Sequence, residues 1–244
     1  MRALAPSELL ALWERTLATT AGEQPLALAA VARPEAARDQ LADLPLGERD
    51  ALLMAVRERN FGPRVETVAR CPRCDEALEL ALDLAQLRAV QPPPGTAPGR
   101  LRAGGIEVEY RLLSTRDFQR AAAEADHGAA RAALLAGAVI AAVRDGEPMA
   151  ADALPGEVAE ALAAQLELDD PLSDVRIAVH CPACAHAWAA PFDIAAFLIA
   201  EIRAHARRLL GEVHALASAY HWDERDILAL SPARRLAYLE LLGR

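Results

Sequence analysis

VETVARCPRCDEALELALDL (Val65–Leu84) and VRIAVHCPACAHAWAAPFDI (Val175–Ile194) decide the fold. Each holds one CPxC motif, Cys71/Cys74 and Cys181/Cys184, and the two stretches superimpose when the sequence is slid by 110 positions. In the first, Leu78, Leu80, Leu82 and Leu84 alternate with period two, the spacing of a half-buried strand. Trp188, Phe192 and Ile194 fall on the same alternation in the second. Further out, Leu44-Pro45 falls on Leu154-Pro155, Leu52 on Leu162, Val56 on Leu166, Val65 on Val175 and Leu87 on Phe197, without a gap. With a one-residue slip, LAPSEL near Leu4 also matches LSTRDF near Leu113. A common offset held this far reads as a tandem duplication.

Each copy then predicts the same series. A helical stretch comes first, Ser7 to Leu17 and Thr115 to Val143. A Leu-Pro start signal opens a second helix, from about Gly47 to Arg59 and from about Gly156 to Leu168. A short strand enters each CPxC motif and another leaves it. QPPPGTAPG, Gln91 to Gly99, reads as a stiff, helix-free linker. The strand after it, with Ile106, Val108, Tyr110 and Leu112, has no counterpart in the first copy. A long helix from Ile194 to Tyr220 carries an apolar stripe at Leu198, Ile202, Leu209, Val213, Leu216 and Tyr220. A short helix around Ile227 to Leu230 follows. Ser231-Pro232, an N-cap with a first-turn proline, opens the last one. The expected fold class is α+β, mainly α: tandem helix–strand–CPxC–strand units joined by one zinc-ribbon-like four-cysteine site, with C-terminal helices. The expected divisions are 1–90 for the first repeat, 91–105 for the linker, 106–198 for the second repeat and 199–244 for the C-terminal segment.

Composition narrows the function. Apolar residues are 53% of the 244 but aromatics only 4%, so the apolar content is Ala and Leu, a helix-forming diet. All 26 basic residues are Arg, and the net charge of −9 argues against a broad nucleic-acid footprint. Glu8 and Glu14 interrupt what an export signal would keep apolar, and Ala132 to Val143 is too short to span a bilayer. A cytoplasmic protein without membrane contact is expected. Cysteines kept reduced and arranged as two CxxC pairs point to metal or redox chemistry rather than to a disulfide scaffold.

Zinc favours four thiolates in a tetrahedron, and a CxxC turn presents two on one tight loop. Two such loops complete a closed structural site from Cys71, Cys74, Cys181 and Cys184, with one Zn2+ per chain. The 106 residues between Cys74 and Cys181 are many for a ribbon. Closure cost grows only logarithmically, so a fivefold longer loop adds about 1.4 kcal/mol. A structural zinc contributes on the order of 10–16 kcal/mol. Three alternatives stay open. A redox pair would want its first Cys at a helix N-terminus, whereas the residues after both motifs alternate like a strand. Two separate sites would need further ligands; His180 and His186 flank the second motif, but the first copy has no His. Inert packing is the third.

No catalytic constellation stands out. Gly104-Gly105 lacks the strand–turn–helix context of a phosphate loop, and a Walker lysine is impossible without Lys. His205 and His214 have no partner at triad-like spacing, and Asp83 and Asp193 read as N-caps. Toward the C-terminus, Tyr220, Trp222, Arg234, Arg235 and Tyr238 concentrate the residue types enriched at interface hot spots. Trp222, Arg234, Arg235 and Tyr238 are the candidate partner-binding residues. A helical hairpin packing on itself, with both arginines solvated, is the competing explanation.

The CPxC pair repeated about a hundred residues apart and the segment EVHALASAYHWDERDILALSPARRLAYLELL together resemble the baseplate hub assembly chaperone family of T-even-like contractile phage tails and phage-derived injection particles. The likeness covers the cysteine-bearing stretches and is strongest from Val213 to Leu242. It implies zinc at Cys71, Cys74, Cys181 and Cys184, a partner-facing C-terminal segment, and baseplate or tail-hub proteins as partners, with no chemistry and no small-molecule substrate. The resulting expectation is a non-enzymatic assembly or structural protein of a contractile tail baseplate. The second reading is a zinc-ribbon adaptor on nucleic acid or transcription machinery, which salt-dependent DNA binding would favour. A thiol oxidoreductase would show turnover with a dithiol substrate.

Overall fold

The computed structural model describes residues 2–92 and 98–243, so residues 93–97 of the expected linker lie outside the described residues. The first half runs α1 (Pro6–Leu17), α2 (Gln24–Ala32), α3 (Arg38–Ala42), α4 (Leu46–Phe61), β1 (Arg64–Arg70), β2 (Ala77–Asp83) and α5 (Leu84–Arg88). Next come β3 (Gly99–Ala103), β4 (Ile106–Tyr110), α6 (Thr115–Ala121), α7 (His127–Ala138), β5 (Val139–Arg144) and β6 (Glu147–Met149). The chain continues through α8 (Gly156–Asp169), β7 (Arg176–His180), β8 (Ala187–Pro191), α9 (Ile194–Tyr220), α10 (Glu224–Ala229) and α11 (Pro232–Leu242). It is a mixed helix-and-strand fold in which helix predominates.

The chain divides into two compact units. One gathers the residues up to Leu28 with those from Ala195 on; the other is Ala29–Ile194. The second contains both CPxC hairpins. β1 and β2 pair antiparallel with Val65 opposite Leu82 and Arg70 opposite Ala77. β7 and β8 pair likewise, with Ile177 opposite Ala190 and His180 opposite Ala187. Pro45 and Pro155 stand at the N-caps of α4 and α8, where a fixed φ and a missing N–H cost nothing. Asp83 closes the first hairpin by capping α5, its carboxylate accepting from the Ala85 N–H at 2.9 Å. Helix, strand, CPxC turn, strand and helix thus follow in the same order twice.

Between the hairpins lies a four-stranded antiparallel sheet, β3-β4-β5-β6. Ile106, Val108 and Tyr110 of β4 bury one face together with Leu135, Ala138 and Ala142 and with Val158, Leu162 and Leu166 of α8. The opposite face of the β3–β4 pair carries charge, with Arg102 bridged to Glu107 at 2.7 Å. The helical stretch expected from Thr115 to Val143 is instead two helices and a strand. α6 stops at Ala121, Asp126 restarts the chain as α7 by accepting the Ala129 N–H at 2.9 Å, and Val139, Ile140 and Val143 go into β5. Branched Cβ atoms suit the pleat better than the helix, and β4 offers its free edge in register, with Val108 opposite Ala142.

In the other unit, α1 buries Leu9, Leu10 and Leu12 and packs against α10. Leu198, Ile202, Leu209 and Leu216 of α9 are buried on the expected stripe, each contributing about 2 kcal/mol of apolar transfer. Ser231 caps α11 by accepting from the Arg234 N–H. Among the described residues, no helix is long and apolar enough to cross a membrane.

Candidate metal centre

Each CPxC motif forms the tight turn of its hairpin by the same backbone bonds. The Cys71 N–H donates to the Glu76 carbonyl at 2.9 Å and the Asp75 N–H to the Cys71 carbonyl at 2.9 Å. In the second turn the Cys181 N–H donates to His186 at 2.8 Å and the Ala185 N–H to Cys181 at 2.9 Å. The residue after each second cysteine is left-handed, Asp75 at φ 60° and Ala185 at φ 57°. Within each turn the two sulfurs lie within 4.8 Å of each other.

The two turns meet sulfur to sulfur. Cys71 Sγ lies 3.6 Å from Cys184 Sγ, and Cys74 Sγ lies 3.6 Å from Cys181 Sγ. All four sulfurs fall within 4.8 Å of one another. A disulfide would need about 2.05 Å, so these are four free thiols. The edge of a sulfur tetrahedron around a zinc with bonds of about 2.3 Å is about 3.8 Å, close to both cross-hairpin distances. Cys71 and Cys181 are buried, Cys184 is half-buried and Cys74 exposed.

Backbone N–H groups point at the sulfurs. Burial works to raise the Cys71 pKa, but the N–H groups of Arg73 and Cys74 and the thiol of Cys184 outweigh it and bring it to about 7. Cys74 receives the Glu76 N–H, yet the neighbouring thiols and burial push it up to about 12. Cys184 also moves up, against the His186 N–H, through burial and the thiols of Cys71 and Cys181. Crowding thus holds the Cys74 and Cys184 thiols protonated more firmly, while Cys71 gives up its proton more readily. A divalent cation at their centre inverts that balance, which is the chemistry of a thiolate metal site.

The structure brings all four sequence-predicted cysteines together. Neither His180 nor His186 joins the cluster among the described residues; His186 stacks on Trp188 with ring centroids 5.9 Å apart. Both cysteine turns lie between strands rather than at a helix start, unlike the helix-based redox arrangement. The backbone donors were invisible to residue-type reasoning, although matched CPxC turns hint at them. A groove of about 180 Å3 opens between the hairpins, lined by Thr67, Ala69, Leu80, Ile177, Trp188 and Phe192 among others.

The other candidates all sit in the terminal unit. Tyr220 stacks on Trp222 with centroids 4.8 Å apart, and Tyr238 meets Trp222 edge-on at 4.9 Å. Arg234 is exposed. Arg235 is only 3% exposed, with its Nε donating to Glu212 at 2.8 Å and its Nη1 to the Leu230 carbonyl at 2.7 Å. The solvation assumed for Arg235 in the self-packing explanation is therefore replaced by an internal brace.

The family model described as T4 bacteriophage base plate protein matches residues 23–199. That span takes in both hairpins and ends before Trp222, Arg234, Arg235 and Tyr238. No curated protein and no solved structure matches the chain.

Proposed function

Because the chain belongs to the T4 bacteriophage base plate protein family, we propose that it serves the assembly of a contractile tail baseplate as a non-enzymatic protein clasped by one structural zinc. The observation that carries the zinc is the convergence of four thiols from two hairpins within 4.8 Å. Cys71, Cys74, Cys181 and Cys184 would hold the ion, which supplies a cross-link and no open coordination position for catalysis. The matching order of helix, strand, turn and strand on either side supports an origin of the two hairpin units by duplication. Baseplate or tail-hub proteins are the proposed partners, and the cytoplasm of the producing cell the place of action.

We assign partner contact to the C-terminal helices. Trp222, Tyr238 and exposed Arg234 offer aromatic and guanidinium surface, and Arg235 contributes from beneath by fixing α11. Two measurements test the reading. Metal analysis of the purified chain should find one zinc, and Cys71→Ser should lose it; zero or two zincs would refute the clasp. Affinity capture from cells making the tail proteins should recover a baseplate component, and Trp222→Ala should weaken that capture. Recovery of nucleic acid or transcription proteins instead would favour the adaptor reading.

A further inference from the structure

The sulfurs of the cluster are arranged in pairs across the hairpins. Cys71 faces Cys184 and Cys74 faces Cys181, both at 3.6 Å, and each pair joins a buried sulfur to a more exposed one. An oxidant in solution therefore meets Cys74 or Cys184 first, with a buried thiol waiting beside it. We propose that the cluster is also an oxidation site which, once the ion is withdrawn, closes into two cross-hairpin disulfides, Cys71–Cys184 and Cys74–Cys181. The inference rests on the four-cysteine site of the proposed function, but not on which ion fills it.

The chemistry balances with a peroxide as oxidant. The exposed thiolate attacks one peroxide oxygen, the O–O bond breaks, and a sulfenic acid and water result. The buried partner, as thiolate, then attacks that sulfur, the S–S bond forms, and hydroxide leaves to take up the partner's proton as water. Each disulfide consumes two thiols and one hydrogen peroxide and yields two waters; the full cluster consumes two peroxides. Closure shortens each sulfur pair from 3.6 Å to about 2.05 Å. The same two hairpins are then joined in a reducing medium by metal and in an oxidising one by covalent bonds.

Arginine positions make the test direct. Cleavage after Arg70, Arg73, Arg88, Arg176 and Arg203 places Cys71 in peptide 71–73, Cys74 in peptide 74–88, and both remaining cysteines in peptide 177–203. The full chain is stripped with EDTA under reducing conditions, desalted, treated with two equivalents of hydrogen peroxide and alkylated. It is then cleaved without reduction and weighed by mass spectrometry. All three peptides should appear as one linked species that reduction separates. Cys181→Ser should leave 71–73 joined to 177–203 with Cys74 alkylated, and Cys184→Ser should leave 74–88 joined to 177–203. Peptide 71–73 joined only to 74–88, or full alkylation of every cysteine, would overturn the proposal. Zinc content, measured on the untreated sample, separates failure of the metal reading from failure of this one.

Discussion

Ala185 holds a left-handed backbone, φ 57°, where its counterpart in the first turn is Asp75 at φ 60°. An Asp tolerates this region because its short side chain can bond locally; an Ala bears a cost of about 1–2 kcal/mol. In that geometry the Ala185 N–H donates to the Cys181 carbonyl and the Cys181 N–H to the His186 carbonyl, and these bonds offset the cost. Buried carboxylates make a second case. Asp170 accepts the Gly47 N–H at 3.0 Å, and a Cβ on Gly47 would stand 1.9 Å from its other oxygen, so any side chain there would displace the Asp170 carboxylate. Nearby, Asp50 is 8% exposed, and burial drives its pKa up to about 6, with the charges of Asp193 and Asp170 adding and Arg49 opposing. A raised acid pKa means the folded chain binds the proton more readily than the unfolded chain. This contribution to stability is therefore complete only below the unfolded value and is lost as pH rises through about 6. Between pH 5 and 7.5 the wild type should lose about 1 kcal/mol more stability than Asp50→Asn, read from urea midpoints. Equal slopes for the two proteins would show that Asp50 ionises normally.

At the scale of elements, α11 shows how an interface candidate can double as a brace. Its Arg235 guanidinium ties α9, through Glu212, to the carbonyl of Leu230 just before the helix. Arg235→Ala leaves a mostly buried carboxylate and a carbonyl without this donor, and should cost about 2 kcal/mol in urea unfolding. Arg234→Ala, on the exposed face, should cost under about 0.5 kcal/mol. A reversed order of the two would mean that Arg235 is spent on a partner rather than on the fold. The sequence made several elements legible for identifiable reasons: the Leu-Pro signals opened α4 and α8, alternating leucines marked β2, and the apolar stripe traced α9 to its last residue. It misled where composition and context disagreed. Alanine-rich Thr115–Val143 looks helical throughout, yet the capping carboxylate of Asp126 and the free edge of β4 divide it. β3 went unseen because four of its five residues are Gly, Arg or Ala, and its strand character comes from pairing with β4. α2 and α3 lay in a stretch with no repeat match and no periodic stripe.

Charge is unevenly distributed over the whole molecule. The terminal unit carries nine basic and nine acidic side chains, so the net −9 resides in the unit that holds the cysteines. Most of the family match, residues 23–199, falls in that acidic unit, whereas the balanced unit supplies the aromatic and arginine surface. A metal held by the four clustered cysteines would cross-link the acidic unit and close a long loop of chain. Confining the ends of a loop of about 100 residues removes unfolded-state entropy worth about 4–5 kcal/mol. Because the four thiols act as one site, that stabilisation is shared and cannot be removed twice. Cys71→Ser and Cys181→Ser, from opposite hairpins, should each cost about 4 kcal/mol relative to the zinc-loaded wild type. The double variant should cost little more than either alone, since each single change already releases the clasp. Trp188, which lines the groove between the hairpins, provides a local fluorescence signal for the same transition. Additive losses of about 1–2 kcal/mol per cysteine, with Trp188 emission unchanged by chelation, would instead describe four thiols packed as ordinary small apolar side chains. The hairpins would then be held by the residues lining their groove, with no clasp between them.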